Sequence, residues 1–114
     1  MYISIISASH RQKSQSKKVS DTLQLQLKKM DPSLNLFSLD LALSDLPLWS
    51  PEKKLGEGRL VETWKNISNN FKKSDGFIFV VPEYGGMATP NSKNLFLLCG
   101  EGELAHKPSL IVSV

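Results

Sequence analysis

The chain is poor in the residues that tie a small protein together covalently or through a metal. It has a single cysteine, Cys99, in 114 residues. That excludes an internal disulfide and a cysteine-based metal site. Its two histidines, His10 and His106, have no second ligand at metal-like spacing, so no metal is expected. No apolar run approaches the roughly 20 residues of a membrane-spanning helix. The N-terminus is apolar from Tyr2 with no basic segment ahead of it, so a signal peptide is not expected. Charge of one sign is also scarce, with a net +3 from 14 basic and 11 acidic residues. A nucleic-acid surface needs a denser basic stripe with interleaved aromatics, and the chain has none. A cytoplasmic protein with neither nucleic-acid nor membrane partner is the expectation. The lysines at 13, 17 and 18, 28 and 29, and 72 and 73 read as solvated helix surface. Attraction of anionic ligands such as nucleotide phosphates is the sharper alternative.

What is present is an ordinary globular composition, 40% hydrophobic and 22% charged, sufficient for one domain with a modest core. The chain is organised around the stretch from Asp75 to Asn94. Phe77, Ile78, Phe79, Val80 and Val81 are apolar without alternation, as in a parallel strand buried on both faces. Pro82 stops the ladder for want of an N–H. Glu83, Tyr84, Gly85 and Gly86 then form a turn at the carboxyl end, where ligands sit in open α/β sheets. The glycines allow close backbone approach and Tyr84 offers a flat ring. A plain strand-to-helix turn is the competing reading.

Tyr2 to Ser7 reads as a first strand, and Ala8 to Ser16 as a polar loop. Val19, Leu23, Leu27 and Met30 recur at helical spacing until Asp31-Pro32 ends the helix. Leu34 to Leu39 is a second strand, and Asp40 to Leu55 a loop containing Pro47, Trp49 and Pro51. Leu60, Trp64, Ile67 and Phe71 mark one face of a second helix. After the Phe77 strand, a helix from about Asn91 to Cys99 buries Leu95, Leu98 and Cys99, and Gly100 and Gly102 end it. Lys107-Pro108 leads into a fourth strand at Leu110-Ile111-Val112. The order βαβαβαβ implies a parallel doubly wound sheet with helices on both faces. The fourth strand, apolar on both sides, is expected to be an exposed edge. A fifth strand and last helix are expected to be missing, as in a fragment or abbreviated gene product, unless a partner chain covers the edge.

The segment Ser9-His10-Arg11-Gln12-Lys13-Ser14-Gln15-Ser16 follows a strand and opens a helix, where free N–H groups and the dipole favour an anion. It lacks the glycines of a dinucleotide fingerprint or a Walker A loop. Its hydroxyls at 9, 14 and 16 and the Arg11 guanidinium can donate to a phosphate instead. An ordinary serine N-cap is the alternative. Because first and third strands are neighbours at the switch point of a doubly wound sheet, this loop and the Tyr84 turn flank one crevice. That spacing suits a flavin mononucleotide, phosphate at one end and ring at the other. Trp49 is placed at the ligand mouth and Trp64 in the core. Asp40 could mimic a ribose-binding acid, though without the glycine fingerprint.

These residues resemble the NAD(P)H-dependent FMN reductase family, flavodoxin-like enzymes that include quinone, azo-dye and chromate reductases. The family's G-S-x-R-x-x-S-x-N/S loop is matched by Ala8 to Ser16, and its P-E-Y-N-G-S by Pro82-Glu83-Tyr84-Gly85-Gly86-Met87. Lys93-Asn94, Lys107-Pro108 and Asp45-Leu46-Pro47 match its K-N, K-P and Asp-Leu-Pro segments in order, so the resemblance spans the chain. It implies that Ser9, Arg11, Ser14 and Ser16 hold the FMN phosphate. Pro82, Glu83, Tyr84, Gly85 and Gly86 line the isoalloxazine, with turn amides touching the ring. No side chain is implied as nucleophile or base, because the flavin does the chemistry. The implied activity is ping-pong hydride transfer from NAD(P)H through FMN to a quinone-like or other small-molecule electron acceptor, in a homodimer or homotetramer. Ala8 departs from the family glycine and tightens the loop, Gly85 from its Asn, Met87 from its Ser, and Thr89-Pro90 from its Pro-Gly. The glycine-rich loop that follows strand four in the family is lacking. These departures leave open a non-catalytic FMN- or nucleotide-binding module as the alternative.

Overall fold

The isoleucine-rich strand β1 (Tyr2–Ser7) lies inside the sheet, flanked in parallel by β2 (Asn35–Asp40) and β3 (Gly76–Val81). The computed structural model describes residues 1–52, 56 and 58–114. β4 (Ser109–Ser113) pairs in parallel with β3, completing the order β2-β1-β3-β4. Helices α1 (Gln15–Met30), α2 (Arg59–Lys73) and α3 (Pro90–Leu98) alternate with the strands. The expected α/β sheet, with β1 and β3 adjacent, is therefore the observed one. The loop after β2 runs irregularly from Leu41 to Glu52, and its expected end at Leu55 lies outside the described residues.

Alternation along β1 and β3 divides the core between two faces. Ile5, Ile78 and Val80 face α1 and pack with Val19, Leu23 and Leu27. Ile6, Phe77 and Phe79 face the other way, onto Trp64, Ile67 and Phe71 of α2 and Leu95 and Leu98 of α3. The unbroken apolar run of β3 is thus buried on both sides. Phe71 is fully buried with its ring 5.2 Å from that of Phe77, edge to face at 81°. Such a pair adds roughly 0.5–1.5 kcal/mol beyond burial.

The helix faces differ from the expected ones at their ends. Val61, not Leu60, joins Trp64, Ile67 and Phe71 inside, and Leu60 remains 39% exposed. Positions three and four before Trp64 straddle the buried stripe, and in the first turn only one reaches the sheet. Met30 is 81% exposed, while Ser16 and Ser20 in the first turns of α1 are buried. α3 ends at Leu98, leaving Cys99 as a half-buried C-cap. Burial, with Glu103 adding, pushes the Cys99 thiol up to about 12, so it is no nucleophile at neutral pH. β4 is an edge strand, with Leu110 54% and Ile111 71% exposed while Val112 packs on the α1-side core. Lys28 and Lys29, and Lys72 and Lys73, occupy last helix turns, where the dipole favours cations. No described helix is long and apolar enough to cross a membrane.

Candidate functional site

β1 and β3 end side by side, and Ala8 N–H continues their ladder to the Val80 carbonyl at 2.9 Å. From there the two following loops diverge around a crevice. After β1 the chain turns sharply: the Ser9 hydroxyl accepts from Arg11 N–H at 3.0 Å, and Ser9 is almost fully buried. Ser14 is the N-cap of α1, its hydroxyl accepting from Lys17 N–H at 3.0 Å. The serine-cap alternative is therefore correct, and it does not exclude the other. An accepting hydroxyl keeps its own O–H to donate. Ser16 sits in the first turn of α1, where no acidic residue stands, and not in the loop. Its hydroxyl is buried without a hydrogen-bond partner among the described residues. An unpaired buried hydroxyl is costly. Ser16 is one of the residues around a cavity at a helix N-terminus, where an anion is favoured. The Arg11 side chain is exposed at the same rim. The residues present therefore fit a phosphate.

After β3 the turn is built by two glycines. Tyr84 N–H donates to the Met87 carbonyl at 2.8 Å and Met87 N–H to the Tyr84 carbonyl at 3.1 Å. Between them Gly85 and Gly86 have φ of +59° and +79°, as a tight turn with two left-handed positions requires. The Glu83 carboxylate accepts from Gly86 N–H. The amides of Tyr84, Gly86 and Met87 are thus engaged within the turn. Glu83 and Gly85 N–H have no partner among the described residues, which narrows the expected set of ring-facing amides.

The two loops meet through side chains. Ser9 and Tyr84 hydroxyls lie 3.1 Å apart, and His10 N–H donates to the Tyr84 oxygen at 3.1 Å. The Ser9 hydroxyl first, then His10 N–H and the Arg11 charge, lower the Tyr84 pKa against a small opposing effect of burial. A cavity of about 240 Å³ lies between the loops, lined by Ser9, Arg11, Ser14, Gln15, Ser16, Pro82, Glu83, Tyr84 and Val114. Every candidate from the first loop is there, and so are Pro82, Glu83 and Tyr84. Gly86 lines an adjoining depression of about 250 Å³ with Pro82, Glu83, Met87 and Ile111. Gly85 lines neither. Trp49, placed at the mouth by sequence, lines neither as well. A wider depression of about 330 Å³ opens at the opposite edge of the sheet, among Ile3, Leu27, Phe77 and Leu110. Its lining carries no charged side chain to receive a phosphate.

Sequence reasoning missed the stitching between these loops and α3. Thr89 caps α3 and donates from its buried hydroxyl to the Ala8 carbonyl at 2.7 Å. Pro90 takes the first helical position, so the departure at Thr89-Pro90 makes a sound helix start. Asn91 reaches the Ser9 carbonyl at 3.4 Å, and its N–H donates to His10 Nε2 at 3.2 Å. Asn94 holds the loop after β2, accepting from Trp49 N–H at 2.8 Å and donating to the Pro47 carbonyl at 3.0 Å. The Lys93-Asn94 and Asp45-Leu46-Pro47 segments were visible, but their joining was not. Ala8 is fully buried in the α2-side core, so its methyl points away from the cavity and does not tighten the loop.

A parallel sheet with a hydroxyl-rich loop and an aromatic glycine turn facing each other across its switch point is the flavodoxin-like arrangement. The chain belongs to the NADPH-dependent FMN reductase family, whose model matches residues 1–114. Among curated proteins no match is found. Solved structures share the fold at low identity. An oxidoreductase from Corynebacterium diphtheriae is 17% identical with a TM-score of 0.77 over 98% of this chain and 62% of its own. FerB from Paracoccus denitrificans, a flavoenzyme NAD(P)H:(acceptor) oxidoreductase, is 19% identical with a TM-score of 0.72 over 98% and 59%. The azoreductase AzrA is 15% identical with a TM-score of 0.73 over 99% and 68%. The chain thus spans about three fifths of the first two.

Proposed function

We propose that the chain binds FMN in the crevice between the β1 and β3 loops and serves an NAD(P)H-dependent oxidoreductase. The observation that carries this is the one cavity that Ser9, Arg11, Ser14, Ser16 and Tyr84 line together, with the Ser16 hydroxyl left without a partner among the described residues. Ser14 and Ser16 donate to the phosphate, Arg11 adds charge at the rim, and Ser9 orients Tyr84. Pro82, Glu83 and Tyr84 form the wall for the ring, with Gly86 in the adjoining depression. Bound FMN supplies hydride transfer, from the nicotinamide to the flavin and on to a small acceptor of quinone type. The chain's residues bind and orient; none acts as nucleophile or base. Exposed Phe96, Leu97 and Leu48 support assembly as a homodimer or homotetramer.

A flavin titration of the purified chain, read by fluorescence quenching, tests the site. FMN binds, and Arg11→Ala weakens it by roughly tenfold or more, the worth of a hydrogen bond to a charged group. A folded chain that leaves FMN fluorescence unchanged overturns the assignment. A second reading, flavin binding without turnover, is favoured by the turn amides already engaged within the turn itself. NAD(P)H oxidation with added FMN and a quinone separates the two.

A further inference from the structure

We propose that His10 is a positioning residue for this site. It fixes the phosphate loop against the ring platform, and so sets how much more tightly the chain binds FMN than riboflavin. The inference rests on the flavin reading above. On the N-terminal side of His10 the loop is already held, because the Ala8 and Ser9 carbonyls accept from Thr89 at 2.7 Å and Asn91 at 3.4 Å. On its other side Arg11, Gln12 and Lys13 are exposed, and the next buried anchor is Ser14 at the cap of α1. Apart from the local bond from Arg11 N–H to the Ser9 hydroxyl, His10 is the last tie before that span.

It makes that tie three ways. Its N–H donates to the Tyr84 hydroxyl oxygen at 3.1 Å, and its ring lies 5.6 Å from the Tyr84 ring, tilted by 42°. Its Nε2 accepts from Asn91 N–H at 3.2 Å, across 81 positions of sequence. The first-turn donors of α3 explain why this bond is made. Pro90 has no N–H, and Ser92 N–H is served by the Thr89 hydroxyl at 3.4 Å. Asn91 N–H therefore needs a partner from outside the helix. Nε2 is the acceptor in this bond. One side chain thus caps α3 and stands against the ring of Tyr84. A ligand that reaches both loops gains from their being fixed before it arrives. A ligand that touches only the ring platform gains less.

The test is a pair of titrations, FMN and riboflavin, on wild type, His10→Gln, His10→Asn and His10→Ala, each checked for folding by circular dichroism. A glutamine amide oxygen reaches about as far as Nε2, whereas an asparagine stops near Nδ1. The FMN-to-riboflavin affinity ratio is expected to fall by roughly tenfold in His10→Ala and His10→Asn, the worth of about one hydrogen bond. His10→Gln restores it. If His10→Ala does not fold, the Gln and Asn variants carry the comparison. A ratio equal in all variants, or both affinities falling together, overturns the role of His10 while leaving the flavin site standing. A wild-type chain that binds neither flavin overturns both.

Discussion

The hydroxyls of Ser9 and Tyr84 lie 3.1 Å apart across 75 positions of sequence, closing the gap between the loops that follow the two central strands. Tyr84→Phe keeps the ring and removes this bond along with the one from His10 N–H. Stability should fall by about 1 kcal/mol, and FMN affinity by roughly fivefold to tenfold. Tyr84→Ala should lose more affinity, because the ring wall goes with the hydroxyl. Denaturant melts and flavin titrations measure the two effects; equal affinities for Tyr84→Phe and Tyr84→Ala would mean that the ring does not touch the ligand.

The same bonds alter the acidity of Tyr84. Its phenol is more acidic than usual because the Ser9 hydroxyl, the His10 N–H and the Arg11 charge favour the phenolate. A depressed acid stabilises the fold above its unfolded value and loses that contribution as pH falls through the folded one. The window therefore lies on the alkaline side, and at neutral pH Tyr84 adds nothing through ionisation. Phenolate absorbance in an alkaline titration should show Tyr84 ionising early, and Ser9→Ala should move it back toward the ordinary tyrosine range. No movement in Ser9→Ala means that the hydroxyl contact does not persist in solution.

Gly85 has a φ of +59°, a left-handed backbone position that glycine and asparagine both accept. Asparagine tolerates this left-handed region far better than other non-glycine residues. A Cβ at Gly85 meets no heavy atom within 4 Å, so space does not limit the substitution. Gly85→Asn should be within about 0.5 kcal/mol of wild type, while Gly85→Val should cost about 1–2 kcal/mol from backbone strain. Thermal melts of the two variants check this, and equal losses would place the strain elsewhere.

Much of this architecture was legible in the residues. Phe77 to Val81 announced a strand buried on both sides, and the alternation of strands and helices placed β1 beside β3. From that adjacency alone the two candidate loops could be brought to one crevice. What escaped was decided by polar residues, which hydrophobic periodicity does not register. Ser16 and Ser20 are the fully buried residues of α1, beside the half-buried Val19, Leu23 and Leu27. Glu103 is 6% exposed in a stretch that read only as a helix stop. The bonds from Thr89, Asn91 and Asn94 join segments far apart in sequence, so no local pattern encodes them. Leu60 and Val61 could not be separated because both fall within reach of one helical stripe.

Lys107 shows such a long-range role. Its ammonium donates to the Phe71 carbonyl at 2.8 Å, the Lys72 carbonyl at 3.0 Å and the Gly102 carbonyl at 3.4 Å. It thus satisfies the C-terminal end of α2 while lying 5.8 Å above the Phe77 ring. Lys107→Met keeps the apolar stem but leaves those carbonyls to water. The expected loss is about 1–2 kcal/mol, with no change in FMN affinity because the site lies at the other edge of the sheet. A parallel fall in flavin binding would show that the two edges are coupled.

Glu103 connects the same region to pH. Burial raises its pKa, but the Ser68 hydroxyl at 2.7 Å and Gly100 N–H at 2.9 Å favour the carboxylate, as does the Lys72 charge, and the net shift is downward. A depressed acid contributes stability that is present above its unfolded value and lost as pH falls through its folded value. Wild type should therefore lose stability on acidification below the ordinary glutamate range. Glu103→Gln, which has no proton to gain there, should show a flatter profile. At neutral pH the variant is the less stable, because the amide oxygen can accept from Gly100 N–H and the NH₂ donate to Ser68, but these neutral bonds replace two made to a charged carboxylate. Denaturant melts across the acid range decide it. Parallel profiles for the two proteins would mean that Glu103 is not held as a carboxylate between α2 and the segment after α3.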